Sequence, residues 1–253
     1  MSIATKKKAN CPDSKKSRLP YRKVCIIGHL GIMPYELALK LQQRLTQARA
    51  EGDVPDVLLL LEHPPVVTIG RFRGEEDLIV PPEILTGEEI AVFLTNRGGG
   101  ITYHGPGQLV GYPILNIKEN GLSVREYIWK LESVIIKLLL GLGIQGQRVL
   151  KHPGVWVHEK KVCSIGIHVN RYITMHGFAL NVSNDLRYFE YIRPCGLRSE
   201  MMTSLSQLLE RPIEVKTIID SLINSFSETF GLECEPGNDQ WLSQPTVPRG
   251  KLE

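Results

Sequence analysis

One cysteine of this chain has sequence neighbours that suit a nucleophile. Cys195 stands in the segment "RPCG", between a proline that fixes the approach of the backbone and a glycine that permits a sharp exit. Catalytic groups are common on such loops when a rigid scaffold carries them. An inert loop thiol fits the same residues, so this segment alone makes Cys195 a candidate.

The other four cysteines have plainer surroundings. Cys25 and Cys163 lie in apolar, strand-like runs, where a thiol packs as a small hydrophobe, and Cys11 and Cys234 fall in segments that we expect to be loose. Their scatter and the odd total of five predict neither a disulfide framework nor a zinc site. We therefore expect a reducing compartment, which is the cytoplasm, or an organelle matrix if the basic leader is a transit segment.

A nucleophilic cysteine needs a base or a cation beside it. The pKa of a free thiol is about 8.5, and only the thiolate attacks. The candidates in the sequence are His104, His168, His176, Lys160 and Lys161. Residue types alone do not choose among these five.

The stretch "NRGGGITYHGPGQLVGYPIL", residues 96–115, is rich in glycine. The chain contains no G-x-x-x-x-G-K-[ST] sequence, and the three consecutive glycines lack the third glycine of a dinucleotide fingerprint, which argues against a nucleotide site. A plain β-turn needs only one or two glycines. Because glycine lets the backbone approach a ligand closely, the stretch indicates a ligand-facing wall.

The elements that must position these residues alternate in the first half of the chain. The runs that predict strands are "RKVCIIGHLG", "DVLLLLEH", "VVTIG", "AVFLTN" and "LVGYPILNI". A helix is predicted between Pro34 and Gly52, with Leu37 in its apolar stripe, and a charged loop is predicted to run through Pro82.

A second helix is predicted to begin at a capping box formed by Ser123 and Glu126 and to end at Gly141. Its apolar stripe begins at Val124. The run over residues 154–183 predicts a three-stranded antiparallel meander. A short helix near residues 202–209, a longer one from Val215 and a loose polar tail complete the chain.

These elements predict an α/β protein of the α+β type, with a mixed, largely antiparallel sheet and flanking helices. We expect a basic leader over residues 1–21, one domain over 22–231 and a polar tail over 232–253. The net charge of +3 gives no reason to expect a nucleic-acid partner, and no apolar run is long enough to span a membrane.

Five segments resemble one known family. Residues 97–112, "RGGGITYHGPGQLVGY", resemble the signature R-G-G-x-x-T-x-H-x-x-G-Q-x-x-x-Y of the lipoyl(octanoyl) transferases, and every fixed position is present. Residues 61–71, 161–169, 176–182 and 191–196 are similar to further segments of that family, in the same order. The resemblance extends over residues 24–209 and implies a fold shared with lipoate–protein and biotin–protein ligases. The loop of residues 71–78 matches no family pattern.

The resemblance also implies site residues. Cys195 matches the family's nucleophile, and Lys161, rather than Lys160, matches its reactive lysine. The substrate contacts that carry over by position are Arg97, Gly98, Gly99, Gly100, Ile101, Thr102, Tyr103, His104, Ser164, Ile165, Gly166, Gly177, Phe178 and Ala179.

The implied reaction moves an octanoyl group from octanoyl-acyl carrier protein to a lysine of a lipoyl domain, through a thioester on Cys195. The implied acceptors are the lipoyl domains of 2-oxoacid dehydrogenases and the glycine cleavage H protein. A thioester is already activated, so no cofactor or metal is expected. The alternatives are an ATP-dependent lipoate–protein ligase, an octanoyl relay enzyme that moves the group between lipoylated proteins, and a non-catalytic acyl-carrier binding module.

Overall fold

The computed structural model of the protein describes residues 23–72, 74–150, 152–194 and 201–237. The predictions for the basic leader, for Cys11 and for Cys195 itself lie outside the described residues. So does the part of the predicted tail beyond Gly237.

Within the described residues, eleven strands form two sheets. The strands are β1 (Lys23–Ile32), β2 (Asp56–Glu62), β3 (Val66–Ile69), β4 (Ala91–Leu94), β5 (Ile101–His104), β6 (Gln108–Ile114), β7 (Gln147–Val149), β8 (His152–Val157), β9 (Lys160–Asn170), β10 (Ile173–Asn181) and β11 (Leu232–Pro236). The large sheet has the order β11-β1-β2-β6-β10-β9-β8-β7, and the small sheet has the order β4-β3-β5. Strand β1 pairs in parallel with β2 and β11, and β3 pairs in parallel with β4, while the other pairings are antiparallel. The predicted mixed, largely antiparallel sheet is confirmed.

Five α-helices flank these sheets in the described part of the chain. They are α1 (Tyr35–Glu51), α2 (Pro82–Gly87), α3 (Val124–Gly141), α4 (Leu205–Leu208) and α5 (Ile219–Phe230). Helix α1 packs on β6 and β10, whereas α3 packs on α5, β8 and β9. None of these helices is long and apolar enough to cross a membrane.

The sheet is covered on both faces, and the sequence of β2 reflects this. Its residues from Asp56 to Leu61 are buried without alternation, as expected for a strand between two apolar layers. One apolar cluster on β2 includes Leu58 and Leu60 and continues into α3 and α5. The other includes Leu59 and continues into α1.

The ends of the two long helices agree with the sequence signals. Ser123 caps α3: its hydroxyl accepts from the Glu126 amide at 3.2 Å, and the Glu126 carboxylate accepts from the Ser123 amide at 2.8 Å. Helix α1 is followed by Gly52 in a left-handed conformation, with φ of 79°. The predicted capping box and glycine stop are confirmed.

Two predicted stripe residues do not lie in the core. Leu37 is 54% exposed and Val124 is 44% exposed. The buried stripe of α1 includes Ala38, Leu41 and Leu45, and Leu37 lies about 100° around the helix axis from Ala38. Val124 is the first residue of α3 and has no preceding turn to cover it.

Three further elements differ from the predictions. The loop predicted to run through Pro82 is followed by α2, which begins at Pro82 because a proline suits the first position of a helix. The glycine-rich stretch contains β5. The tail was predicted to be loose from residue 232 onwards, but Leu232 begins β11, which pairs in parallel with β1 and places Cys234 opposite Cys25. The residues after Gly231 are mostly polar because an edge strand is held by backbone hydrogen bonds and can expose charged side chains.

The core under α3 generates a stability prediction with an internal control. Leu138 is 2% exposed and Leu140, on the same helix, is 70% exposed. Leu138→Ala is expected to lower the free energy of unfolding by about 2–5 kcal/mol because it leaves a buried cavity. Leu140→Ala carries the same change in helix propensity and should stay within about 0.5 kcal/mol. Urea unfolding measures both, and equal losses would contradict this packing.

Candidate active site

A cavity of about 530 Å³ lies where the small sheet meets β6, β9 and β10 of the large sheet. Lys161 lines it, together with twelve of the fourteen predicted substrate contacts. These twelve are Arg97, Gly98, Gly99, Gly100, Thr102, His104, Ser164, Ile165, Gly166, Gly177, Phe178 and Ala179. Segments that are far apart in the sequence are therefore brought together around one space.

Ile101 and Tyr103, the remaining two predicted contacts, have side chains that pack elsewhere. Successive residues of a strand face opposite sides, so β5 directs Thr102 and His104 toward the cavity. Ile101 and Tyr103 join the apolar cluster behind the small sheet, where the Tyr103 ring stacks on Tyr188 with centroids 4.9 Å apart. Their side chains do not line the cavity.

The glycine segment, residues 97–100, lies directly on β9 and on the loop after β3. The Gly98 amide donates to the Ile167 carbonyl at 2.8 Å, and the Phe72 amide donates to the Gly99 carbonyl at 3.2 Å. Gly99 has φ of 83°, a conformation that favours glycine. A Cβ atom on Gly166 would stand 3.0 Å from the Gly98 carbonyl oxygen. This close contact explains the glycine at position 166, and the positive φ explains the glycine at position 99.

Arg97 holds this segment from inside the protein. Its side chain is buried, and its Nη2 donates to the Thr68 carbonyl at 2.6 Å and to the Thr68 hydroxyl at 2.8 Å. Its Nη1 donates to the Gly98 carbonyl at 3.1 Å. The guanidinium therefore connects the glycine segment to β3 while it keeps its charge hydrogen-bonded.

Three buried histidines near the cavity are held neutral. Burial lowers the pKa of His104 to about 3, with the charge of Arg97 adding to the effect. Burial likewise lowers the pKa of His176 to about 3, again with Arg97 contributing. Burial lowers the pKa of His63 to about 4. None of these rings is a cation at neutral pH.

Lys161 owes its orientation to an irregularity in β9. In the pairing of β8 with β9, one extra residue of β9, Val162, lies between two consecutive residue pairs. This extra residue forms a β-bulge. Lys161 is 4% exposed, and its Nζ lies 5.4 Å from the centroid of the Trp156 ring. Gly154 leaves room for the lysine, because a Cβ atom there would stand 2.6 Å from the Lys161 Cε. Lys160 is exposed.

The five candidate partners of a nucleophile are thus separated by position. His104, His176 and Lys161 line the cavity. His168 is half-buried on β9 without lining it, and Lys160 is on the surface at the first turn of the meander.

The described backbone is hydrogen-bonded on both sides of residues 195–200. Before them, the Arg193 amide donates to the Asp77 carbonyl at 2.7 Å. After them, Met202 pairs with Lys161 as a parallel bridge, and the Thr203 amide donates to the Lys161 carbonyl at 3.0 Å. Before the gap the described chain therefore contacts the loop that matched no family pattern, and after the gap it contacts β9 at the buried lysine.

Cys163, the cysteine nearest to Lys161 in the sequence, is a core residue. It is fully buried, and burial raises the pKa of its thiol far above the ordinary value. It packs as a small hydrophobe, as predicted from its apolar neighbours.

Several residues of the cavity wall were missed by sequence reasoning. They are Tyr35, Arg71, Phe72, Val110, Tyr112, Ile128, His152, Pro153 and Ile167. Tyr112 is a fixed position of the family signature, and its hydroxyl contacts His63 Nε2 at 2.7 Å. Tyr35 and Ile128 carry no local signal, because only packing of their helices brings them here. Among the described residues, no group of three His, Cys, Asp or Glu side chains could hold a metal ion.

Comparisons with known proteins show what this chain is similar to. A model of the lipoyl protein ligase A/B catalytic domain matches residues 34–227. An octanoyltransferase from Solibacter usitatus is 46% identical over 213 residues, which cover 84% of this chain and 96% of the relative. An octanoyltransferase from Caldicellulosiruptor bescii is 42% identical over 211 residues, which cover 82% of this chain and 92% of the relative.

Solved structures share the fold at low sequence identity. A putative lipoate protein ligase from T. acidophilum with bound lipoic acid has a TM-score of 0.70 at 18% identity, over 85% of this chain and 89% of that chain. A lipoate-protein ligase A bound with ATP has a TM-score of 0.71 at 17% identity, over 86% of this chain and 90% of that chain. The predicted likeness to the lipoate ligase fold is confirmed.

The buried histidines generate a pH prediction. The folded-state pKa of His104 is about 3, below the value of about 6.5 in an unfolded chain. The unfolded state therefore takes up a proton first as the pH falls below about 6.5, and the ring lowers stability progressively from there toward pH 3. Nitrogen-15 NMR of the rings should show His104 and His176 neutral from pH 8 to pH 5. His104→Gln identifies the His104 signal, and titration of that signal near pH 6.5 would contradict its burial.

Proposed function

This chain belongs to the lipoyl protein ligase A/B catalytic domain family and is an acyltransferase, and we propose that it transfers an octanoyl group from acyl carrier protein to a lipoyl-domain lysine. The observation that carries the proposal is the burial of Lys161 in the wall of an apolar cavity. The octanoyltransferases to which the chain is similar support transfer of this acyl group in lipoate biosynthesis.

The cavity suits an aliphatic chain in size and lining. Its volume of about 530 Å³ falls in the range of about 300–1,000 Å³ for small-molecule sites. Apolar side chains from three elements line it, among them Ile128 of α3, Ile165 of β9 and Phe178 of β10. Each methylene that leaves water contributes about 0.8 kcal/mol, so an eight-carbon chain gains much of its affinity from this lining.

The first half of the proposed reaction forms an acyl-enzyme. The thiolate of Cys195 attacks the thioester carbonyl carbon and the new C–S bond forms as the bond to the carrier's sulfur breaks. The carrier's thiolate takes up the proton that Lys161 has received from Cys195, which leaves Lys161 neutral. Lys161 accepts the Cys195 proton as the thiolate forms. A buried ammonium is costly unless an anion lies beside it, and the cysteine thiolate supplies that anion.

The second half consumes the acyl-enzyme. The ε-amine of the acceptor lysine attacks the thioester carbonyl, an amide bond forms, and Cys195 leaves as a thiolate. Lys161, once neutral, removes the proton that the amine must lose. The chemistry needs no nucleotide, because the thioester is the activated form of the acyl group.

The partners follow from this reaction. The proposed donor is octanoyl-acyl carrier protein, and the proposed acceptors are lipoyl domains of 2-oxoacid dehydrogenases and the glycine cleavage H protein. An archaeal lipoate protein ligase with the same fold has been solved in a study of its lipoylation system with its E2 lipoyl domain. The cytoplasmic or organelle setting stays a prediction.

The acyl-enzyme generates the central prediction. Incubation with octanoyl-acyl carrier protein should add one octanoyl group to Cys195, as measured by intact mass and peptide mapping, and Cys195→Ala should abolish it. Lys161→Ala should slow acylation and transfer by at least about 100-fold, the lower end of what a positioned acid–base group contributes. Lys160→Ala is the matched control and should change either rate by less than about twofold.

Other outcomes would overturn the proposal. Equal losses in Lys160→Ala and Lys161→Ala would contradict the assignment of the lysine. Transfer that survives Cys195→Ala and requires ATP would identify a ligase instead. Binding of the carrier protein without an adduct would identify a non-catalytic module, and a preference for an octanoylated lipoyl domain as donor would identify a relay enzyme.

The apolar cavity predicts a dependence on chain length. A hexanoyl chain leaves two methylenes fewer to bury, which costs about 1.6 kcal/mol at about 0.8 kcal/mol each. The kcat/KM of acylation should therefore fall about 15-fold from octanoyl- to hexanoyl-acyl carrier protein. Single-turnover acylation with both donors measures the ratio, and equal values would contradict an apolar slot for the chain.

A further inference from the structure

We infer that Asn181 is a positioning residue of the acyl-transfer site, an inference that rests on the proposed roles of Cys195 and Lys161. Asn181 is the last residue of β10 and is 1% exposed. Its side chain links the glycine-rich wall of the cavity to the backbone of Lys161, through the segment that follows residues 195–200.

The first link runs from Asn181 to Lys161. The Asn181 Nδ2 donates to the Thr203 carbonyl at 3.0 Å, and the Thr203 amide donates to the Lys161 carbonyl at 3.0 Å. Met202, next to Thr203, pairs with Lys161 as a parallel bridge. One residue, Thr203, is therefore held by Asn181 on its carbonyl side and by Lys161 on its amide side.

The second link runs from Asn181 to the cavity wall. Asn181 lies opposite Gln108 on β6, and its Oδ1 accepts from Gln108 Nε2 at 2.9 Å. Gln108 Nε2 also donates to the Tyr103 carbonyl at 3.2 Å, which leaves its Oε1 to accept from His104 Nδ1 at 2.7 Å. The neutral His104 thus carries its proton on Nδ1 and is fixed by the same network.

An asparagine suits this position because it offers a donor and an acceptor in one plane. Its Oδ1 also accepts from Asn184 Nδ2 at 3.2 Å, so the buried amide is hydrogen-bonded through both of its polar atoms. An ionised aspartate keeps the shape and the acceptors but has no hydrogen to donate to the Thr203 carbonyl. A serine is too short to make both contacts.

Loss of the Asn181 contact would change the distance between the reacting groups. Thr203 stands eight positions after Cys195 in the sequence, and its amide is hydrogen-bonded to β9 at Lys161. Displacement of reacting groups by about 1 Å costs about 100-fold in rate. Loss of the Asn181 donor frees the Thr203 carbonyl and weakens the hold on Thr203 beside Lys161 without removing any group that contacts substrate.

The test uses the full chain and octanoyl-acyl carrier protein. Asn181→Asp should slow the rate constant of Cys195 acylation at saturating donor by about 10- to 100-fold, with the KM for the donor within twofold. All of the Asn181→Asp protein should still become acylated. Asn181→Ser is too short to reach both Thr203 and Gln108, adds no charge and should give the same pattern.

The matched control is Asn184→Ala. Asn184 donates to Asn181 but not to Thr203, and Gln108 remains bonded to Asn181 in its absence. The acylation rate of the Asn184→Ala variant should stay within about threefold of the wild-type rate. A role of Asn181 in folding alone would instead reduce the fraction of protein that is acylated and leave the rate constant of that fraction unchanged.

The two proposals fail in different ways. If the unmodified protein forms no adduct at Cys195, the proposed function fails and Asn181 has nothing to position. If the unmodified protein is acylated and the folded Asn181→Asp and Asn181→Ser variants are acylated at its rate, the proposed function stands and this inference is wrong.

Discussion

A buried guanidinium bonded to backbone carbonyl groups is the constraint on which the cavity wall depends. Arg97 donates to the carbonyls of Thr68 and Gly98, which belong to different segments. A buried cation is tolerated only when its N–H groups are hydrogen-bonded. The guanidinium therefore needs these carbonyl acceptors, and the two segments are held together by its donors. The same charge contributes to the low pKa of His104 and of His176. One residue therefore closes the wall and helps to keep its histidines neutral.

Strand β9 makes the two halves of the site a single rigid unit. Its first part carries Lys161 at a bulge, and its middle part, from Ser164 to Ile167, meets the glycine segment. A central strand, hydrogen-bonded on both sides, holds its side chains more precisely than a loop does. The lysine and the glycine-rich wall are accordingly fixed relative to each other by one stretch of backbone.

The sequence was informative where a local rule and the tertiary structure agree. The unbroken apolar run of β2 and the capping box of Ser123 and Glu126 were sufficient, because both are patterns of neighbouring residues that the tertiary structure then satisfies. Strand β11 was missed because pairing through the backbone needs no apolar side chains. Ile128 was missed as a wall residue because a helical stripe shows that a face is buried and not what it faces. The individual glycines that line the cavity were predicted through the family resemblance. Residue types alone indicated only a ligand-facing wall.

In the proposed reaction, one part of the site binds the acyl group and another part makes the bond. The glycine-rich wall consists of backbone groups, neutral histidine rings and one arginine whose guanidinium is hydrogen-bonded within the protein. None of these groups is suited to transfer a proton between substrate atoms near neutral pH. Lys161 lies on the first part of β9, and Met202 and Thr203 contact its backbone shortly after residues 195–200. A two-step transfer needs its acyl chain held unchanged while two different partners enter and leave. A rigid wall that takes no part in proton transfer meets that need, because its hydrogen bonds stay the same in both steps.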